Sequence, residues 1–281
     1  MLASKVQEKS CIMARIPGKH FLHNLIQGRT LLFQLVRRDF QQRFVGSAAG
    51  WVWGLIHPLV LLASYTFIFQ WCLKQTPPAD AFTTNYTLFI FTGFLPWLLF
   101  QETVLRCSSC LIDHSNLITK TVFPSEFVPV SIFLSCLMSH LLALLLAVAI
   151  IGVWDRHFSF MVLLLPFYMA VLGLFAIGIG WIVASLQVYL RDTAQLLTVV
   201  MTFWFWMTPI MIDEAKVPQQ FRFLMQINPL VYVVRAYRER LLSFQPPNLS
   251  DFAILFAYAI TAFIVGGLFF RHLKRGFADV L

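Results

Sequence analysis

Six long, mostly uncharged apolar runs divide this sequence, at 51–73, 86–105, 127–153, 159–186, 196–212 and 252–270. A helix crossing the hydrocarbon core of a bilayer needs about 20 such residues. Five of the runs reach or approach that length, and the run at 196–212 sits near the lower limit. A backbone in lipid must pair its own N–H and C=O groups inside the segment, so each run is expected to be a helix. Strands of a membrane barrel would alternate polar and apolar residues, and these runs do not. Charged residues make up only 12% of the chain and hydrophobic ones 59%, whereas a soluble domain carries about 25% charged residues. The expected fold class is an all-α integral membrane protein with six transmembrane helices in a single domain, 1–281.

An even number of spans puts both termini on one side. With the termini inside, 14 of the 21 lysines and arginines fall on the inner segments, so the positive-inside bias favours cytoplasmic termini. The net charge of +8 does not point to nucleic acid, because most of the basic residues flank the apolar runs. The first run begins after a long basic segment, too late for a secretory signal peptide. Five cysteines, Cys11, Cys72, Cys107, Cys110 and Cys136, do not make a disulfide framework, and the lone Cys107–Cys110 pair lacks the further ligands a metal site needs.

Three stretches between the runs carry more information. Residues 20–44 place His20, His23, Asn24, Gln27, Gln34, Arg37, Arg38 and Gln41 at helical spacings, opposite Phe21, Leu25, Leu32, Leu35, Val36 and Phe40. This predicts an amphipathic helix at the membrane interface, contacting membrane lipids through its basic face. A bend at Gly46–Gly50 follows, and then Trp51 and Trp53 at headgroup depth. Within the loop 106–126, Leu111, Ile118 and Val122 recur at helical spacing among Asp113, His114, Asn116 and Lys120. A short cytoplasmic helix over 108–124 is expected, ended by Pro124; it is either a partner-docking helix or a solvated connector. The segment 213–251 is divided by Pro218, Pro229 and Pro246–Pro247 into helices near 219–226 and 230–243. The second is too short and too charged to span, with Arg235, Arg238, Glu239 and Arg240. It is expected to dip into the outer leaflet, its arginines snorkelling to the headgroups.

The sequence contains no GxxxxGK[ST], HExxH or GxSxG motif. Glu102 and Arg106 are four apart and could pair, while His57 and His140 stand alone in apolar surroundings. Ionisable residues inside the runs are too few for an ion-coupled carrier.

Four stretches together resemble the membrane subunit of type-2 ABC exporters for bacterial polysaccharides: RRDFQQRFVGSAAGWVWGLIHPL from Arg37, NLITKTVFPSE at 116–126, YLRDTAQLLTVVMTFWFWMTPIM at 189–211, and INPLVYVVRAYRERLL at 227–242. The resemblance runs from about Arg37 to the tail. It implies a permease in the bacterial inner membrane, a homodimer bound to two separate ABC ATPase subunits. ATP and Mg would be held on those partners, with no cofactor, metal or catalytic residue on this chain. The implied cargo is polysaccharide linked to a polyprenyl diphosphate, with O antigen favoured and teichoic acid or capsule as alternatives. A membrane-embedded transferase acting on lipid-linked sugars is the competing class. On the resemblance, Leu111, Asp113, Asn116, Ile118 and Lys120 would couple to the ATPase. Arg37, Arg38, Arg43, Trp51 and Trp53 would receive the lipid diphosphate, where arginine offers a planar fork to phosphate. Arg235, Arg238 and Arg240 belong to an external re-entrant gate-helix region. A sugar polymer presents apolar C–H faces, so Tyr65, Phe67, Trp71, Phe203, Trp204 and Trp206 are the candidate channel-lining rings.

Overall fold

The structure, a computed structural model, describes residues 28–43, 46–47, 50–78, 82–120, 123–154, 159–212, 214, 217–243 and 246–280. The amphipathic helix α1 spans Arg29–Gln42; the expected positions 20–27 and 44 lie outside the described residues. Leu35 and Val36 are buried while Gln34, Arg37, Arg38 and Gln41 are exposed. The buried side of α1 packs on a neighbouring protein helix, α5, rather than lying only against lipid.

Among the described residues, five helices are long and apolar enough to cross a membrane. The first is α2, Trp53–Thr66, continued by a π-helical turn over Phe67–Cys72. The second is α3, Tyr86–Asp113, capped by Asn85 Oδ1 accepting from the Thr87 amide at 2.9 Å. It extends past the expected end at 105, because nothing in LRCSSCLID breaks a helix and the turn comes only at His114. A six-residue helix α4, Ser115–Lys120, follows, in place of the expected helix over 108–124; Val122 lies outside the described residues. Helix α5 spans Phe127–Trp154, and α6, Leu165–Tyr189, is entered through a 3-10 turn at Phe160–Leu164.

The run expected as the fifth span forms only α7, Thr193–Trp206. At 1.5 Å per residue its 14 residues cover about 21 Å of the roughly 30 Å hydrocarbon core, and the residues after it complete the path, the Met211 carbonyl accepting from Tyr86 Oη at the far end of α3 at 2.6 Å. The chain then leaves the helix in a series of turns, with Pro209 unable to donate to a helical ladder. Two further helices, α8 (Arg222–Ile227) and α9 (Pro229–Leu242), precede the last long helix, α10, Leu249–Leu273. A 3-10 turn at Lys274–Gly276 leads into α11, Phe277–Val280.

Helix α3 is the axis of the bundle, touching α5, α6, α7 and α9. Helices α6 and α10 approach until their backbones meet. A Cβ on Gly266 would stand 2.1 Å from the Gly178 carbonyl oxygen, and one on Gly178 would stand 2.4 Å from that of Ala262. Small residues permit this approach, which is a main source of helix association where lipid tails offer no hydrophobic penalty.

Candidate functional site

A cavity of about 670 Å³ opens between α2, α3 and α7. One wall is aromatic. Tyr65 stacks on Phe205 with centroids 6.0 Å apart and meets Phe94 edge-on at 5.6 Å. Trp97 lies 5.4 Å from Phe205, which in turn sits 5.4 Å from Trp206. The polar wall holds His57, Gln101, Glu102, Ser47, Ser139 and Thr202. Trp97 donates its indole N–H to Gln101 Oε1 at 2.6 Å, one turn further along α3.

The charged end of this groove is made by the segment after α1. Arg43 is ion-paired with Glu102 and donates to Ser139 Oγ at 2.9 Å. One turn further along α3, Arg106 pairs with Asp39 of α1 at 2.7 Å. Glu102 and Arg106 therefore do not pair with each other as their spacing allowed. Each reaches across to α1 instead, so two ion pairs pin α1 to the second span. Trp53 and Arg43 both line the groove, whereas Arg37 and Arg38 point outward from α1. The Trp51 side chain lies outside the described residues.

The candidate channel rings separate by helical phase. Successive residues turn by about 100°, so Tyr65 and Phe67 point to nearly opposite sides of α2. Tyr65 and Trp206 line the groove; Phe67 and Trp71 line a different cavity of about 520 Å³ between α2, α3 and α5. Phe203 is 68% exposed. Trp204 turns into the bundle, where it packs edge-on against Phe100 at 5.2 Å and donates to Asn228 Oδ1 at 2.9 Å; its place is set by packing rather than by the groove. Phe205, in the same run of four aromatic residues, also lines the groove; Phe94 and Trp97 were not singled out from the sequence, since aromatic enrichment alone does not say which ring faces which helix.

Asn228, in the Asn-Pro-Leu stretch, explains that motif. Its Oδ1 caps α9 by accepting from the Leu230 amide at 3.0 Å, and its Nδ2 donates to Thr208 Oγ1 at 3.0 Å. Pro229 follows at the first helical position, where a missing N–H costs nothing. One amide side chain thus fastens the start of α9 to the end of α7.

Helix α9 is enclosed by protein rather than dipping freely among headgroups. Arg235 bonds to Glu214 and, at 3.4 Å, to Asp251; the Glu214 hydrogen bonds raise its pKa above the ordinary guanidinium value. Arg238 lies over the Phe89 ring, 3.7 Å from its centroid, and donates to the Ile210 carbonyl at 2.7 Å. Arg240 is fully buried and paired with Glu239 at 2.7 Å. Snorkelling to water does not describe these arginines, because carboxylates and carbonyls within the chain already hold them. His140 is likewise engaged, 3.0 Å from Tyr237 Oη.

At the opposite end, Leu111 is fully buried in α3 and cannot meet a partner protein. Ile118 packs inward against the core. Asp113, Asn116 and Lys120 are exposed, and the exposed apolar residue beside them is Ile112, at 40%. The sequence pattern missed Ile112 because the helix was expected to restart at 108, which shifts the phase.

The family model for ABC-2 type transporters matches residues 30–242, which includes the groove, α4 and α9. The chain is 25% identical to the O-antigen export system permease protein RfbA of Myxococcus xanthus, over 92% of this chain and 98% of that one. A protein of the same description from Klebsiella pneumoniae is 27% identical over 89% and 95%. The polysialic acid transport protein KpsM of Escherichia coli is 23% identical over 73% and 78%.

Proposed function

Since the chain belongs to the ABC-2 type transporter family, we propose that it is the permease subunit of an ATP-driven exporter of polysaccharide, O antigen in the first instance. The similarity to permeases named for O-antigen export carries this reading, because it runs over nearly the whole of both chains. The groove supports it. The rings of Tyr65 and Trp206, which stay open to the groove in front of the buried Phe94, Trp97 and Phe205, suit the C–H faces of sugar rings, and Gln101, Glu102 and Thr202 supply hydrogen-bonding groups along the same path. Contacts of this kind are repeated and weak, which lets a polymer advance without being trapped.

The chain works as a homodimer with two ABC ATPase subunits, in the inner membrane with cytoplasmic termini. The first span is the least buried of the long helices, which supports its closing against a second copy. The polymer arrives on a polyprenyl diphosphate, met by Arg37 and Arg38 on the outward face of α1. Asp113, Asn116, Lys120 and Ile112 form the surface offered to the ATPase. The test is complementation. In cells lacking their own O-antigen permease, this chain with its ATPase restores surface polysaccharide, and Ile112→Asp abolishes co-purification of the two. Failure to restore polymer despite normal insertion and ATPase binding would overturn the assignment of cargo.

A further inference from the structure

Helix α4 has six residues, too few to hold an orientation by itself. It packs on α11, the short helix beyond the last span. The residues leading into α11 are tied to the inner ends of other helices. Lys274 is ion-paired with Glu126, which stands one residue before α5. The Glu126 carbonyl accepts from the indole N–H of Trp181 on α6 at 3.2 Å. Tyr189, the last residue of α6, donates its hydroxyl to the Leu273 carbonyl at 2.9 Å. Gly276 leaves room for that ring; a Cβ there would lie 2.6 Å from the Tyr189 oxygen. Phe277 is buried, meeting Phe270 edge-on at 5.4 Å.

These ties continue to the groove. Two residues before Tyr189, Gln187 accepts from the Ala194 amide at 2.7 Å and donates to the Arg191 carbonyl at 2.9 Å. That amide side chain rigidifies the turn from α6 into α7, and α7 carries Phe205 and Trp206 of the aromatic wall. The backbone contact between α6 and α10 makes those two helices move together, since close-packed surfaces transmit displacement rather than absorb it.

We propose that residues 274–280 are a transmission strap, which takes the displacement delivered to α4 and passes it through Glu126–Lys274 and Tyr189–Leu273 to α6, and so to the α7 wall of the groove. The inference rests on the transport reading above. Glu126, Lys274, Tyr189 and Phe277 act here as positioning residues, away from both the groove and the surface offered to the ATPase.

The experiment reconstitutes the permease with its ATPase and measures ATP hydrolysis, thermal unfolding and, in cells, surface polysaccharide. Glu126→Lys is expected to assemble and to hydrolyse ATP within about twofold of the parent, while export falls about fivefold or more, the range by which coupling networks respond to single changes. The swap Glu126→Lys with Lys274→Glu restores export, and Phe277→Ala uncouples in the same direction as Glu126→Lys. Unchanged export by Glu126→Lys overturns the strap. So does a loss of export that only follows a lowered unfolding temperature or lost complex and is not rescued by the swap. If the parent chain binds no ATPase at all, the transport reading falls and the strap with it, an outcome distinct from an intact complex indifferent to Glu126.

Discussion

The first and second spans are of equal mean hydropathy, yet 78% of the second span's apolar window is buried and only 6% of the first's. Helix α3 is surrounded: Phe100 stacks on Phe175 at 5.4 Å and meets Trp204 edge-on, while Val104, Cys107 and Leu111 are closed in below it. Helix α2 leans on its neighbours with one edge, and Leu62 is the only buried residue of its α-helical part. The difference teaches that in lipid, apolarity is a condition for crossing and says nothing of burial, because a lipid tail and a leucine are equivalent neighbours. What the two helices do follows from that asymmetry. The buried one is the frame on which α9 and α1 are pinned; the open one leaves a groove on one side and a second cavity on the other.

The comparison breaks most visibly in stability. Phe100→Ala should cost about 3–5 kcal/mol, as large buried rings do when truncated, read as a lower unfolding temperature in detergent. If it is tolerated, α3 is not the frame. Asn228→Ala comes next, at about 1–2 kcal/mol for a lost cap together with its bonds to Trp204 and Thr208. Hydrogen exchange should show α9 loosening while α3 stays protected. In the groove, Tyr65→Ala should cost about 1–2 kcal/mol through its contacts with Phe94 and Phe205, Trp206→Ala should leave unfolding almost unchanged, and both should lower export about threefold to tenfold, the worth of one aromatic contact. Surface polysaccharide at equal protein level measures this. Phe67→Ala should matter least, with less than about 0.5 kcal/mol in stability and normal export, since its ring lies on the opposite side of α2 from Tyr65. An export defect in Phe67→Ala equal to that of Tyr65→Ala would mean that both sides of α2 face the polymer.

Much of the fold was legible because its signals are local. Apolar run length, the absence of alternation and the prolines at 218, 229 and 246–247 dictate helices and their interruptions from neighbouring residues alone. The amphipathic face of α1 was legible for the same reason. Legibility ended where phase or partner choice decided the matter. Leu111 and Ile118 satisfied a helical spacing, but the continuation of α3 to Asp113 turned one into the core and exposed Ile112 instead. Glu102 and Arg106 satisfied an i, i+4 spacing, yet Glu102 pairs with Arg43, just past α1, and Arg106 with Asp39 on α1. The arginines of α9 looked like headgroup ligands because a sequence shows charge without showing the carboxylates and carbonyls that fold back to meet it.

The sequence by itself determined that this chain lives in a membrane as helices, since the cost of an unpaired backbone in hydrocarbon admits no other solution for runs of this kind. It also determined, through four ordered stretches, the family to which the chain belongs. Tertiary structure alone decided which of two equally apolar spans became the core, which rings face the groove and which ion pairs hold α1. Those outcomes depend on contacts between residues such as Tyr65 and Phe205, or Gly178 and Gly266, far apart in the chain. Their geometry is set by how close two helices can come and at what rotation, and no local pattern of polarity encodes it.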